Sequence, residues 1–119
     1  MDILQKFASE NQLAGAWLHG FGGASEAELG YYNLATKSYQ WRLFPELMEI
    51  TSLQGNLAWK DNQPIWHVHT TLSGSDFQAV GGHVKKLLVA ATCELKLTPT
   101  SDKLSRAHDE TIGLDLLAL

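Results

Sequence analysis

The sequence predicts an α+β domain, a mainly antiparallel β-sheet with one or two helices, spanning residues 1–119 as a single unit. Two observations carry that prediction. Apolar and polar residues alternate through Met48 to Trp59, where Leu53, Leu57 and Trp59 share one face and Ser52, Gln54 and Asn56 the other. That period of two is the mark of a half-buried strand. Only one long stretch, Asp2 to Leu13, shows helical spacing instead, with Ile3, Leu4, Phe7 and Ala8 on one stripe. The 119 residues, 45% hydrophobic and 18% charged, suffice for one globular domain that buries a core without disulfides or a structural metal.

The elements follow in order. Asp2 and Gln5 have the spacing of a capping box at the start of the helix, and Gly15 marks its end. A strand over Ala16 to His19 leads into a glycine-rich turn, His19-Gly20-Phe21-Gly22-Gly23-Ala24-Ser25. Glu28 to Asn33 and Ser38 to Phe44 flank Leu34-Ala35-Thr36-Lys37 as a hairpin. Lys60-Asp61-Asn62-Gln63 turns the chain after Met48 to Trp59, and Pro64 opens a strand to about Leu72. Ser73-Gly74-Ser75-Asp76 turns again, and Gly81-Gly82 breaks the chain before a helical turn around His83 to Leu87. Val89 to Leu97 is a strand whose apolar face is Val89, Ala91, Cys93, Leu95 and Leu97, and Asp102 to Leu119 is a loop with a short strand near Leu114 to Leu117.

Charge and cysteine usage exclude several function classes. The net charge is −4, and the longest basic run is Lys85-Lys86, which counts against a stand-alone nucleic-acid binder that must contact phosphates and leaves room only for a local basic patch. The single Cys93 excludes an internal disulfide, and its apolar surroundings fit a small core thiol better than a catalytic one. Met1-Asp2-Ile3-Leu4 is not the basic start of a signal peptide and no apolar run reaches membrane length, so the cytoplasm is the expected location. Gly20-x-Gly22-Gly23 lacks the spacing of a dinucleotide fingerprint and fits a tight turn or close chain packing.

The sharpest chemical feature is the set His67, His69 and His83. In Pro64-Ile65-Trp66-His67-Val68-His69-Thr70-Thr71 the side chains alternate, so His67 and His69 project from one face while Trp66 and Val68 point the other way. His83 follows Gly81-Gly82, which lets the backbone approach. Three imidazoles with a fourth position open is the arrangement of a catalytic zinc site, and the thiolate-free set also suits nickel, copper or iron. The residues alone leave a second reading open, hydrogen-bonded histidines lining a polar groove or a subunit contact. Glu94, on the strand face with Ala90, Thr92 and Lys96, is a candidate proton carrier or outer partner of the site if that face lies beside the histidine strand; a solvated carboxylate paired to Lys96 is the alternative. His108, in Arg106-Ala107-His108-Asp109-Glu110, reads as surface loop, and His19 reads as a structural strand-end residue, with a place at the edge of the same cleft as the alternative.

The succession Leu29-Gly30-Tyr31-Tyr32, Glu49-Ile50-Thr51-Ser52-Leu53-Gln54-Gly55-Asn56, His67-Val68-His69, Gly81-Gly82-His83 and Ala91-Thr92-Cys93-Glu94 resembles the PPC (plants and prokaryotes conserved) domain over essentially the whole chain. The resemblance implies an α+β domain on an antiparallel sheet, assembled as a homotrimer. It implies the bare prokaryotic type, often labelled DNA-binding, whereas plant members are fused to AT-hooks and use this domain for assembly with partners. The family is also similar in fold to acetolactate decarboxylase, a zinc enzyme with an H-x-H pair and a third downstream histidine, positions that His67, His69 and His83 match. Two departures stand out. The family's first strand and its Gly-Glu pair do not precede the helix here, and there is no Arg-Gly-Arg-Pro run. Three functions follow as expectations: a metal-binding homotrimer, zinc foremost, with a small-molecule substrate or ligand; a metal-free trimeric assembly or regulatory module; and a DNA-associated protein, which the acidic balance disfavours.

Overall fold

In the computed structural model residues 2–118 are described; the two ends of the expected 1–119 unit, Met1 and Leu119, lie outside the described residues. Helix α1 (Asp2–Glu10) stops short of the predicted Leu13. Asn11 N and Asn11 Nδ2 both donate to the Phe7 carbonyl, at 3.1 and 2.9 Å, and Gln12 then turns left-handed at φ 50°. A left-handed residue at that place closes a helix, so the ending comes three residues before Gly15. Gln5, expected in a capping box, directs its side-chain amide to the Pro64 carbonyl at 2.8 Å and so docks the helix on the sheet.

The strands are β1 (Ala16–Asn33), β2 (Ser38–Phe44), β3 (Met48–Lys60), β4 (Gln63–Ser73), β5 (Ala79–Pro99), β6 (Ser105–Asp109) and β7 (Leu114–Ala118). Their order is β2-β1-β5-β4-β3-β6-β7, and β1 also pairs with β3. The strands β1, β5, β4 and β3 therefore close on themselves, although β5 beyond His83 pairs with β1 alone. All pairings are antiparallel except that of β3 with β6 at Trp59 and Ser105. Leu18, Ile50, Leu57, Val68 and Leu72 fill the closed interior and are almost fully buried. Thr70 is buried among them because its hydroxyl donates to the Ser52 carbonyl at 2.8 Å.

Three expectations about continuity are corrected. The glycine-rich segment is no turn: Ala16–Asn33 is one strand, irregular between Gly20 and Gly22. Close packing is the reason. A Cβ on Gly22 would strike the Thr92 carbonyl of β5, and Gly22 adopts φ 150°. Gly81-Gly82 does not break the chain and no helical turn follows, because Ala79–Pro99 is a single strand. A Cβ on Gly82 would lie 2.8 Å from the Gly30 carbonyl, so this glycine admits β1 rather than ending β5. The third concerns the tail, which forms the β6–β7 hairpin. Gly113, at φ 78°, turns it, Trp59 N donates to Leu104 O at 2.8 Å, and the Tyr32 hydroxyl donates to Ile112 O at 2.7 Å. The hairpin thereby reaches from β3 to the far end of β1.

Candidate metal centre

On β4, Trp66, Val68, Thr70 and Leu72 point into the core, and His67 and His69 stand on the opposite face, as the alternation requires. The third histidine arrives by register. β4 pairs with β5 only over its last residues, and that pairing sets His69 directly opposite His83. Cross-strand neighbours of this kind have Cβ atoms about 4.5–5.5 Å apart. The three ring centroids are 5.0, 5.2 and 5.4 Å from one another, and one ring nitrogen of each lies within 4.8 Å of the others. His67 Nε2 and His69 Nε2 are 3.1 Å apart, with donor and acceptor set by the tautomers. Two imidazoles on a tetrahedral zinc, each at about 2.0–2.1 Å, have nitrogens about 3.4 Å apart, so this pair already has ligand spacing.

All three imidazoles are held neutral. His67 is lowered from 6.5 to about 4, by burial first and then by the charges of His83, Arg106 and His69. Burial also lowers His69, and burial, His69 and Arg106 lower His83. Neutral imidazole is the form that binds a metal. His83 Nδ1 is buried without a hydrogen-bond partner, an orphaned nitrogen of the kind a ligand or ion satisfies. The residues present therefore fit a divalent transition metal.

The surroundings come from three further elements. Gln54 and Asn56 of β3 lie opposite His69 and His67. Tyr39 of β2 stands 5.0 Å from His83, ring to ring, and stacks on Trp41 at 4.6 Å. Arg106 of β6 donates through Nη2 to Asn56 Oδ1. Arg106, Asn56 and Tyr39 had no part in the sequence-based site. For Arg106 the signal was present in Ser105 to Asp109 followed by Gly113 and Leu114-Asp115-Leu116-Leu117, two short strands about a glycine turn.

Glu94 is not brought to the histidines within the chain. It is exposed on the later part of β5, opposite Phe21 of β1, where β5 no longer runs beside β4. The strand face expected to be buried there is largely open: Val89 is 53% and Leu95 42% exposed. A register shift between Gly22 and Gly23, with Ala91 at φ 59°, interrupts the alternation. Cys93, half-buried beside the core, has its thiol pushed up by burial, which suppresses thiolate chemistry. His19 is exposed on β1 outside the cluster. His108 lies on β6 rather than in a loop, with Nδ1 3.0 Å from Asp115. No helix among the described residues is long and apolar enough to cross a membrane.

The model of the Plants and Prokaryotes Conserved (PCC) domain matches residues 1–101. Solved structures resemble the chain over nearly all of it. A metal-containing protein from Archaeoglobus fulgidus is 32% identical with a TM-score of 0.88, over 99% of this chain and 84% of that one. A protein from Ralstonia eutropha JMP134, named as a candidate DNA-binding protein, is 30% identical with a TM-score of 0.92, over 99% and 82%. A plant- and prokaryote-conserved protein from Pyrococcus horikoshii is 25% identical with a TM-score of 0.91, again over 99% and 82%. No curated protein matches the sequence.

Proposed function

The chain belongs to the Plants and Prokaryotes Conserved domain family, and from that premise we propose that it is a cytoplasmic, homotrimeric metal-binding protein. His67, His69 and His83 hold a divalent transition metal, zinc foremost, and a small molecule binds beside it. The observation that carries this reading is the approach of three neutral imidazoles, with nitrogens within 4.8 Å, on strands whose opposite faces are locked in the core. The metal-containing relative from Archaeoglobus fulgidus supports it.

A transition metal held by His67, His69 and His83 would supply Lewis acidity to the site. The chain's own residues orient and shield: β4 and β5 fix the three rings, Tyr39 and Trp41 wall the His83 side, and Arg106 places a positive charge next to His67. Glu94 enters as a proton carrier only across a subunit contact, since within one chain it faces Phe21. A Glu94→Gln variant that keeps metal and all ligand binding removes it from the reading.

Metal content by mass spectrometry, on tag-free protein never exposed to chelator, tests the proposal. About one transition metal per chain in the wild type, lost in the His67→Ala/His69→Ala variant, is expected. Wild type that is metal-free and resists reloading turns the reading to a metal-free assembly module. The DNA-binding description of two relatives favours a further reading; a flat anisotropy titration with duplex at low salt disposes of it.

A further inference from the structure

The β6–β7 hairpin carries an arginine, Arg106, whose charge the Asp115 carboxylate offsets only at a distance, without a close ion pair. Arg106 lines a cavity of about 370 Å³ together with His67, His83, Tyr39 and Asn56. Its guanidinium donates only to neutral acceptors, Asn56 Oδ1 through Nη2 and the Asp115 carbonyl through Nη1 at 2.9 Å. Two of the five N–H groups of an arginine are thus used, and Nε is buried without a partner. The acid of the same cavity is engaged elsewhere: the Asp115 carboxylate sits 2.7 Å from Lys60 Nζ and 3.0 Å from His108 Nδ1. Among the described residues Arg106 has no ion-pair partner. A divalent ion on three neutral imidazoles would add to that positive charge. A half-buried guanidinium in such company is costly unless an anion enters, and its planar fork matches a carboxylate.

We infer that this cavity binds the carboxylate of a small organic acid, gripped by Arg106 while an adjacent oxygen of the acid faces His67 and His83. The inference rests on the metal reading above and adds the substrate class. The volume is near the lower end of ligand pockets, which run from about 300 to 1,000 Å³, so the acid has few carbons. Leu114 and Leu116 of β7 supply an apolar wall for its hydrocarbon part. Arg106 lies beyond residues 1–101, the span matched by the family, so the specificity resides in the terminal hairpin.

Cobalt-loaded protein, whose visible bands respond to ligands entering the coordination sphere, is titrated with pyruvate, methyl pyruvate and inorganic phosphate. Pyruvate shifts the bands, and the ester, which lacks the anion, leaves them unchanged at the same concentration. In Arg106→Met the half-saturating pyruvate concentration rises tenfold or more at unchanged cobalt content, and Arg106→Lys falls between. An equal response to the ester, or an unmoved midpoint in Arg106→Met, overturns the inference. Phosphate binding more tightly than pyruvate, with the same dependence on Arg106, overturns the organic acid as the ligand. The ester comparison needs only wild type and decides the matter even if Arg106→Met does not fold. Wild type that takes up no cobalt defeats the metal reading itself, an outcome distinct from cobalt-loaded protein that ignores pyruvate.

Discussion

His67 is pushed down to about 4 while an unfolded histidine titrates near 6.5, and this gap has a consequence for the metal-free protein. Between those values the unfolded chain takes up a proton that the folded chain refuses. Stability from this group is fully present above pH 6.5 and is lost as pH falls toward 4, where the folded form protonates as well. His69 and His83 are lowered in the same direction and add to the slope. Thermal unfolding of chelator-treated protein is expected to shift to lower temperature between pH 7 and pH 5, above the ordinary carboxylate range. The His67→Leu/His69→Leu variant flattens that profile; a wild-type profile that is already flat contradicts the argument. His83→Ala alone is expected to reduce zinc affinity by a factor of ten or more, read by competition with a chelating dye, because two imidazoles remain where three were.

At the scale of the element, β4 is held from both sides and its outer histidines inherit that rigidity. Gly55 of β3 faces Val68, and a Cβ there would strike the His67 carbonyl and lie 2.9 Å from Val68 Cγ2. Backbone cannot swing aside as a side chain does, so Gly55→Ala is expected to destabilise by about 1–3 kcal/mol, as overpacking does. It should also weaken metal binding without touching a ligand, measured by denaturant titration beside zinc competition. Leu72 is fully buried at the foot of the same strand, and Leu72→Ala should cost about 2–5 kcal/mol. Arg106→Met, by contrast, acts from the hairpin and should leave the denaturant midpoint far less affected than Leu72→Ala.

For the whole molecule, a ligand that binds only the folded chain stabilises it by mass action. Zinc added to metal-free protein should therefore raise the unfolding temperature of the wild type and leave His67→Ala/His69→Ala unmoved; equal shifts in both would place the ion elsewhere. Several exposed apolar residues lie where β1 passes the later part of β5, among them Phe21, 56% exposed, with Val89 and Leu95. Exposed apolar surface of this kind marks contact sites, and light scattering is expected to return three times the 13.1 kDa of one chain. A chain that scatters as a monomer at micromolar concentration would refute the assembly and leave that surface unexplained.

Patterning in the chain was enough to specify the α+β class, the hairpin over Leu34 to Lys37, the strands β2, β3 and β4 nearly to their ends, and the shared face of His67 and His69. Those features are local: a period of two places side chains on faces whatever the partner strand. The sequence also nominated His83, but only the register of β4 on β5 sets it opposite His69. Tertiary structure decided the rest. Glycines at 20–23 and 81–82 looked like breaks because their small size is the same signal whether it serves a turn or the close approach of another strand, and only the neighbouring backbone tells which. The strand after Val89 alternated as if buried, yet its partner face is open in the single chain, because burial belongs to the assembly of elements and not to the period. Arg106 came to the site by the longest route, from a tail that reads as polar loop until its hairpin pairs with β3 and brings a guanidinium to the histidines.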